Sequence, residues 1–309
     1  MDVDTRLLRS FAAVAEEGNL TRAAQRLFVA QPSLTKQIKQ LESQLGVELF
    51  VRSRAGMALT EAGRVLAGQA GALLSDWDQA VRDTRGAASR EARALRVGFV
   101  ASAANESTQR IIAAFERRRP GWRIAMRHTD WTDPTAGLAD GRVDAAFVRL
   151  PFPGQVAFRV EVLFTEPRWL ALRAAHPLAQ LEQIPFHALR DEPFVAAPPE
   201  TGSWRDFWVG DDQREGHTAR VGAIARNTDE WLTAIANGYG VSFTPAASAR
   251  FYPRPGVAYR PVTGIGPSRV GVAWPAASTH DSVIQDFVRC CLDCRPEHHD
   301  QFTSRGDHE

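Results

Sequence analysis

The chain has 309 residues, too many for one small domain, with 44% hydrophobic and 24% charged residues and a formal net charge of +1. That balance excludes a disordered chain and a polycation, so any affinity for nucleic acid must come from local charge. Three cysteines, Cys290, Cys291 and Cys294, sit in one C-terminal cluster, which is no disulfide framework. The N-terminus, MDVDTRLLRS, has no secretory pattern, and no run approaches a membrane span. A cytoplasmic protein without membrane contact is expected.

Helical spacing begins at once. Leu7, Leu8, Phe11, Val14 and Ala15 recur at three- and four-residue steps, with Asp4 or Thr5 to cap the start and Gly18 to stop the helix. A second short helix is predicted with Thr21 as its cap and Ala23, Ala24 and Leu27 inward. A third runs from Gln31 to about Leu45. Its apolar side is Leu34, Ile38, Leu41 and Leu45, and Pro32 fits the first turn, where its missing N–H costs nothing. Glu48–Arg52 and Met57–Thr60 then read as two short strands around a basic turn, a wing.

Two short helices, a tight turn and a third helix with small polar N-terminal residues predict a winged helix-turn-helix over residues 1–60. Gln31, Ser33 and Thr35, on the turn that Pro32 opens, can hydrogen-bond base edges. Lys36 and Lys39 can meet phosphates, as can Arg22, Arg52 and Arg54. Between residues 20 and 64, seven basic residues face three acidic ones, a local net charge of +4.

Residues 61–90 form a linker. From Glu61 to about Arg85 there is no proline, and Ala62, Leu66, Gln69, Leu73, Trp77 and Ala80 recur at steps of three and four. Leu66, Leu73 and Trp77 are the expected seam for a partner helix. Gly86–Arg93 reads as a polar hinge.

The rest alternates strand and helix, which predicts a parallel α/β sheet. Strands are expected at 94–102, "WRIAMRHT", "VDAAFVRL", "PFVAAP", "TARVGAIA", "GVSFTP", Val257–Val262 and "RVGVAW", with two in close succession in "EVLFTEPRWLALR". Helices are expected at about Ala103–Arg119, Pro134–Asp140, 204–209, Thr228–Asn237 and Thr279–Asp293.

The stretch from "LRSFAAVAEEGNLTRAAQRL" through "AQPSLTKQIKQLESQLGVELFVR" to "LTEAG" resembles the N-terminal domain of the LysR-type transcriptional regulators. The likeness rests on Thr21-Arg22-Ala23-Ala24, Gln31-Pro32-Ser33-Leu34, Leu45-Gly46 and Leu59-Thr60-Glu61-Ala62-Gly63. One departure is Ala30, where the family usually carries Ser or Thr. Losing that cap should cost about 0.5–2 kcal/mol. Asn19 replaces a more usual Ser.

The resemblance extends more loosely through His176-Pro177-Leu178-Ala179, Asn237-Gly238-Tyr239-Gly240-Val241 and Pro245. It implies an α/β effector domain of two lobes like periplasmic solute-binding proteins, lobe I at 91–162 and 266–296 and lobe II at 163–265, before a polar tail at 297–309. It also implies a homodimer or homotetramer on double-stranded promoter or operator DNA.

Ligands of such folds bind at strand ends. The candidate contacts are Ser102, Thr129, Arg149, the Pro198–Trp204 loop with Pro199 and Thr201, Thr228 and Phe243. Ser102 and Thr228 are expected at helix N-termini, which with Arg149 suggests a small carboxylate effector. Trp204 and Trp208, four apart, are expected in the lobe core rather than as aromatic walls of the cleft. No phosphate loop or nucleophile elbow is present. No catalytic residue, cofactor or bound metal is therefore expected. The alternative is a metal- or thiol-responsive regulator built on Cys290, Cys294, His298 and His299.

Overall fold

The computed structural model describes residues 4–27, 29–53, 56–104, 107–214, 216–278 and 281–295, with only the backbone of Arg52, Ser53 and Ser89. It divides into two units, Met1–Thr84 and Arg85–Glu309. Among the described residues no helix is long and apolar enough to cross a membrane.

The first unit contains α1 (Thr5–Glu17), α2 (Leu20–Arg26), α3 (Gln31–Leu45), β1 (Phe50–Ser53), β2 (Gly56–Leu59) and the start of α4 (Glu61–Glu91). Asp4 caps α1 by accepting from the Arg6 N–H at 2.8 Å, and Gly18 closes it with φ 58°. Asn19 caps α2, not Thr21: its Oδ1 accepts from the N–H groups of Thr21 and Arg22. Leu34, Ile38 and Leu41 of α3 are buried against Leu7, Phe11, Val14, Ala23 and Ala24. Glu42 reaches forward and accepts from Leu49 N–H at 2.8 Å and Phe50 N–H at 3.3 Å. That contact fixes the entry to the wing, where β1 and β2 pair antiparallel from Phe50↔Leu59 to Ser53↔Gly56. Thr60 donates to the Glu48 carbonyl and accepts from Gly63 N–H at 2.9 Å, turning the chain into α4. Gly63 is required there, because a Cβ would stand 2.1 Å from the Leu49 carbonyl oxygen. The helix α4 continues to Glu91, so most of the expected hinge is helical. Gly86 alone weakens a helix by about 1 kcal/mol and does not end it.

The second unit continues with β3 (Ala94–Val100), α5 (Ser107–Arg118), β4 (Arg123–Thr129), β5 (Ala145–Leu150), β6 (Phe158–Glu166), β7 (Arg168–Arg173), β8 (Ile184–Pro185), β9 (Phe194–Ala196), α6 (Ser203–Val209) and β10 (Val221–Ile224). It ends with α7 (Thr228–Ala236), β11 (Ser242–Pro245), α8 (Ser248–Phe251), β12 (Val257–Thr263), β13 (Ser268–Pro275) and α9 (Ser282–Asp293). One lobe is built on a five-stranded sheet in the order β4-β3-β5-β13-β6, the other on β11-β7-β12-β8 with the pair β10-β9. The sheets are mixed rather than parallel. β4, β3 and β5 run together, but β13 returns from the other lobe and pairs antiparallel with β5 and β6. All six residues of β5 are buried, as expected of a strand covered on both faces. β6 runs to Glu166 within the five-stranded sheet, so the first lobe extends past the expected boundary at 162.

The expected helix at 134–140 is a series of turns. Asp133 accepts from Thr135 and Gly137 N–H, and Ala136 and Gly137 both take positive φ. Likewise 94–102 is strand only to Val100, after which Ala101–Ala103 form a 3-10 turn.

Candidate functional site

On α3 the side chains of Gln31, Pro32, Ser33, Lys36 and Lys39 are exposed, while Thr35 is half-buried. Gln31 is lightly held, accepting from the Thr21 hydroxyl at 3.4 Å. The Thr35 hydroxyl donates to the Gln31 carbonyl at 3.0 Å, so part of its capacity is already engaged within the helix. Arg22 is exposed and donates to the Glu17 carbonyl. The Arg52 side chain and Arg54 lie outside the described residues.

The charge count overstates the free cations. Arg26 is bound by Glu16 and Glu17, whose hydrogen bonds and charges hold its pKa above the ordinary value despite partial burial. Arg64 is paired with Glu61. Among the described residues, Lys36 and Lys39 have no carboxylate partner.

Along α4, Leu66 is half-buried and packs with Ala62 and Ala67 onto the core of the first unit. It is therefore partly committed to its own domain, unlike the seam expected from spacing. Leu73 and Trp77, 53% and 51% exposed, stand open together with Val65.

In the second unit a cavity of about 50 Å³ gathers Ser102, Arg149, Thr228 and Phe243, as expected, with Trp131, Trp204, Trp208, Trp231, Thr244, Ser248 and Tyr252. Thr129, Pro199 and Thr201 do not line it. The Thr129 hydroxyl turns back to the Phe99 and Asp133 carbonyls, Thr201 donates to the Pro198 carbonyl at 2.7 Å, and Pro199 faces solvent.

Arg149 is not a free fork. It is 1% exposed. Its Nη1 donates to Glu166 Oε1 at 2.9 Å and to Ser268 Oγ at 3.4 Å, and its Nη2 donates to Ser102 Oγ at 2.9 Å and Ser102 O at 3.2 Å. Glu166 in turn accepts from Ala247 N–H at 3.0 Å. Ser102 is not at a helix N-terminus either. It lies in the 3-10 turn, and α5 begins only at Ser107.

Thr228 does open α7, where Asn227 is the cap. Its hydroxyl is hydrogen-bonded to the Tyr252 phenol, whose pKa burial pushes up against the pull of that bond and of the Arg149 charge. Burial, with Tyr252 beside it, pushes Tyr259 up to about 12. The Tyr259 hydroxyl donates to the Tyr252 carbonyl at 2.6 Å. Thr244 donates to Ser248 at 2.6 Å. The hydroxyls around the cavity thus engage their own surroundings.

Trp131 and Trp231, and the meeting of the four rings, were not foreseen from the sequence. Four of the eight in the chain meet here, with ring centroids 5.9 Å apart for Trp131–Trp231, 6.1 Å for Trp131–Trp204 and 6.2 Å for Trp204–Trp208. Trp204 and Trp208 are core residues, as expected, and walls of the cavity as well. The Nε1 groups of Trp204, Trp208 and Trp231 are buried without a partner. One signal in the sequence was that Trp131 follows a strand end and Trp231 sits on the first turn of a helix.

Cys290 and Cys291 are buried in the core of the first lobe beside Phe287. Burial raises both thiols above the ordinary range, which disfavours the thiolate needed for oxidation or metal binding. His298 and His299 lie outside the described residues. Among the described residues no group of three or more His, Cys, Asp or Glu is placed to hold a metal ion.

Comparison with known proteins adds two family matches. Residues 5–64 match the family described as bacterial regulatory helix-turn-helix protein, lysR family, and residues 88–294 match the LysR substrate binding domain. The chain is 28% identical over 309 residues to the HTH-type transcriptional regulator AlsR of Bacillus subtilis (strain 168), covering 97% of this chain and all of that one. It is 31% identical over 288 residues to the Hca operon transcriptional activator HcaR of Escherichia coli (strain K12), covering 93% and 96%. Among solved structures it resembles full-length BenM, at 28% identity and a TM-score of 0.50, covering 94% of this chain and 96% of that one.

Proposed function

The chain belongs to the LysR family of bacterial transcriptional regulators, DNA-binding proteins that carry a small-molecule-binding domain and are not enzymes; from that premise we propose how its own residues divide the work. The α3 face reads the DNA. Gln31 and Ser33 address base edges, and Lys36 and Lys39 address phosphates. Leu73 and Trp77 on α4 are the seam of a homodimer, which sets two α3 helices against two half-sites. The cavity between Arg149 and the tryptophans receives an effector. Its binding favours one arrangement of the protein over another and so changes promoter occupancy in the cytoplasm.

The observation that carries this reading is the row of exposed polar side chains on α3 with two lysines that no described carboxylate neutralises. A polyanion is bound by displacing its counterions, and only unpaired cations do that well. The test uses sites selected from a random DNA library by the full-length protein. Gln31→Ala should lose about 1–3 kcal/mol of affinity for the selected site and none for random DNA. Lys36→Ala should weaken both and lower the salt slope by about one. Discrimination left intact in Gln31→Ala would remove that residue from the reading face.

The expectation of a carboxylate effector rested on a free Arg149 and on Ser102 and Thr228 at helix N-termini. Arg149 is instead matched by Glu166, and Ser102 sits in a 3-10 turn. Two of the three supports for an anion are thereby removed. Thr228 does open α7, but its hydroxyl is engaged by Tyr252, and the effector's chemistry must be read from what remains unengaged.

A further inference from the structure

We propose that the effector is a small uncharged molecule whose oxygen atoms accept hydrogen bonds from indole N–H groups. The inference rests on the cavity being the effector site.

The charge comes first. Arg149 is the one ionised side chain among the lining residues. Its charge is balanced by Glu166 at 2.9 Å, and both side chains are largely enclosed, at 2% and 11% exposure. A carboxylate entering this space would lose its hydration and find no free counter-charge. An ammonium would stand beside a guanidinium. A neutral molecule meets neither cost.

The hydrogen-bonding inventory points the same way. Ser102, Thr228, Thr244, Ser248 and Tyr252 engage one another or Arg149. What is left is all donor: Nε1 of Trp204, Trp208 and Trp231, and Nε of Arg149. The three tryptophans are 4%, 8% and 3% exposed, so bulk solvent scarcely reaches them. An indole N–H cannot accept. The complementary ligand therefore brings acceptors, such as the carbonyl of a ketone, amide or ester, on a skeleton that the aromatic walls can cover. A cavity of about 50 Å³ admits only a few heavy atoms without wall movement, well below the roughly 300 Å³ of a drug-sized pocket.

Isosteric pairs separate charge from shape. The full-length protein is titrated with acetamide and acetate, and with benzamide and benzoate, following heat and tryptophan emission together. The amide of each pair that fits is expected to bind at least about tenfold tighter than its carboxylate, because the acid alone is buried unpaired. Trp208→Phe keeps a ring and removes one donor. It should weaken the amide by roughly three- to tenfold. Glu166→Gln frees the Arg149 charge and should move the preference toward the carboxylate. If that variant does not fold, the wild-type pairs still decide.

Carboxylate binding that equals or exceeds amide binding, with a change in emission, keeps the cavity as the effector site and overturns its proposed neutrality. Binding of either class that leaves emission unchanged and is untouched by Trp208→Phe overturns both readings. No binding of any of the four probes overturns the neutral-ligand proposal.

Discussion

The α3 face and the cavity are both polar sites, and they treat polarity in opposite ways. On α3, Lys36 and Lys39 stand in solvent without a described partner, and Gln31 is held by one long contact. Around the cavity, Arg149 is bound on both Nη atoms and the hydroxyls bind one another. The partner of each site explains the difference. A surface charge can remain hydrated until a polyanion displaces its ions, whereas an enclosed charge must be neutralised at once or it destabilises the fold. Unpaired cations therefore mark the first site, and unpaired neutral donors mark the second.

The largest effect should come from undoing that neutralisation. Glu166→Ala leaves the Arg149 guanidinium buried without a counter-charge and should cost about 3–5 kcal/mol in urea unfolding of the effector unit. Lys36→Ala, a charge removed from open surface, should change stability by no more than about 0.5 kcal/mol. Equal losses in the two variants would break the contrast between the sites.

Legibility in the sequence follows the same divide. The head is built from contacts within one turn or one helix–helix crossing. The steps from Leu34 to Leu45 therefore gave the buried side, and with it the exposed side bearing Gln31 and Lys36. Spacing alone misled where a face has two claimants. Leu66 lies in the seam by period but packs on its own core. The cavity draws on residues from Ala101 to Tyr252. No local pattern shows that Glu166, on the edge strand of the sheet, neutralises Arg149, or that Trp131 meets Trp231. The turns at Asp133–Gly137 displaced a helix for a related reason. A side chain that accepts from its own following N–H groups competes with the helix.

Gly63→Ala tests how tightly the head's local packing is set. Its Cβ would meet backbone, the Leu49 carbonyl, at 2.1 Å, and backbone cannot rotate aside as a side chain tip can. A loss of about 1–3 kcal/mol is expected in the thermal transition of the head, with weaker DNA binding as the wing shifts. A melt indistinguishable from wild type would mean that α4 does not approach the wing as closely as described.

The head also has room for improvement. Ala30 precedes α3 with extended backbone, φ −67° and ψ 138°, and makes no side-chain cap. Ala30→Ser supplies the missing oxygen in a conformation that already suits a cap. It should raise stability by about 0.5–2 kcal/mol and leave the α3 face intact. No gain on heating would show that the first turn of α3 is already satisfied, and the Ala30 departure would lose its stated cost.

The smallest effect concerns the cavity wall. Ala101 takes φ +46°, a left-handed conformation that alanine adopts at a cost of about 1–2 kcal/mol, and it directs Ser102 onto Arg149. Ala101→Gly removes that strain. It also frees the unfolded chain, which opposes the gain by about 0.4–1 kcal/mol. The strain term is the larger, so a net stabilisation of about 0.5 kcal/mol is expected, read as a small rise in the urea midpoint at constant slope. A fall of more than about 1 kcal/mol would show that the residue is not left-handed. The turn that presents Ser102 to Arg149 would then be wrong, and with it the claim that both Nη atoms of this cation are already engaged.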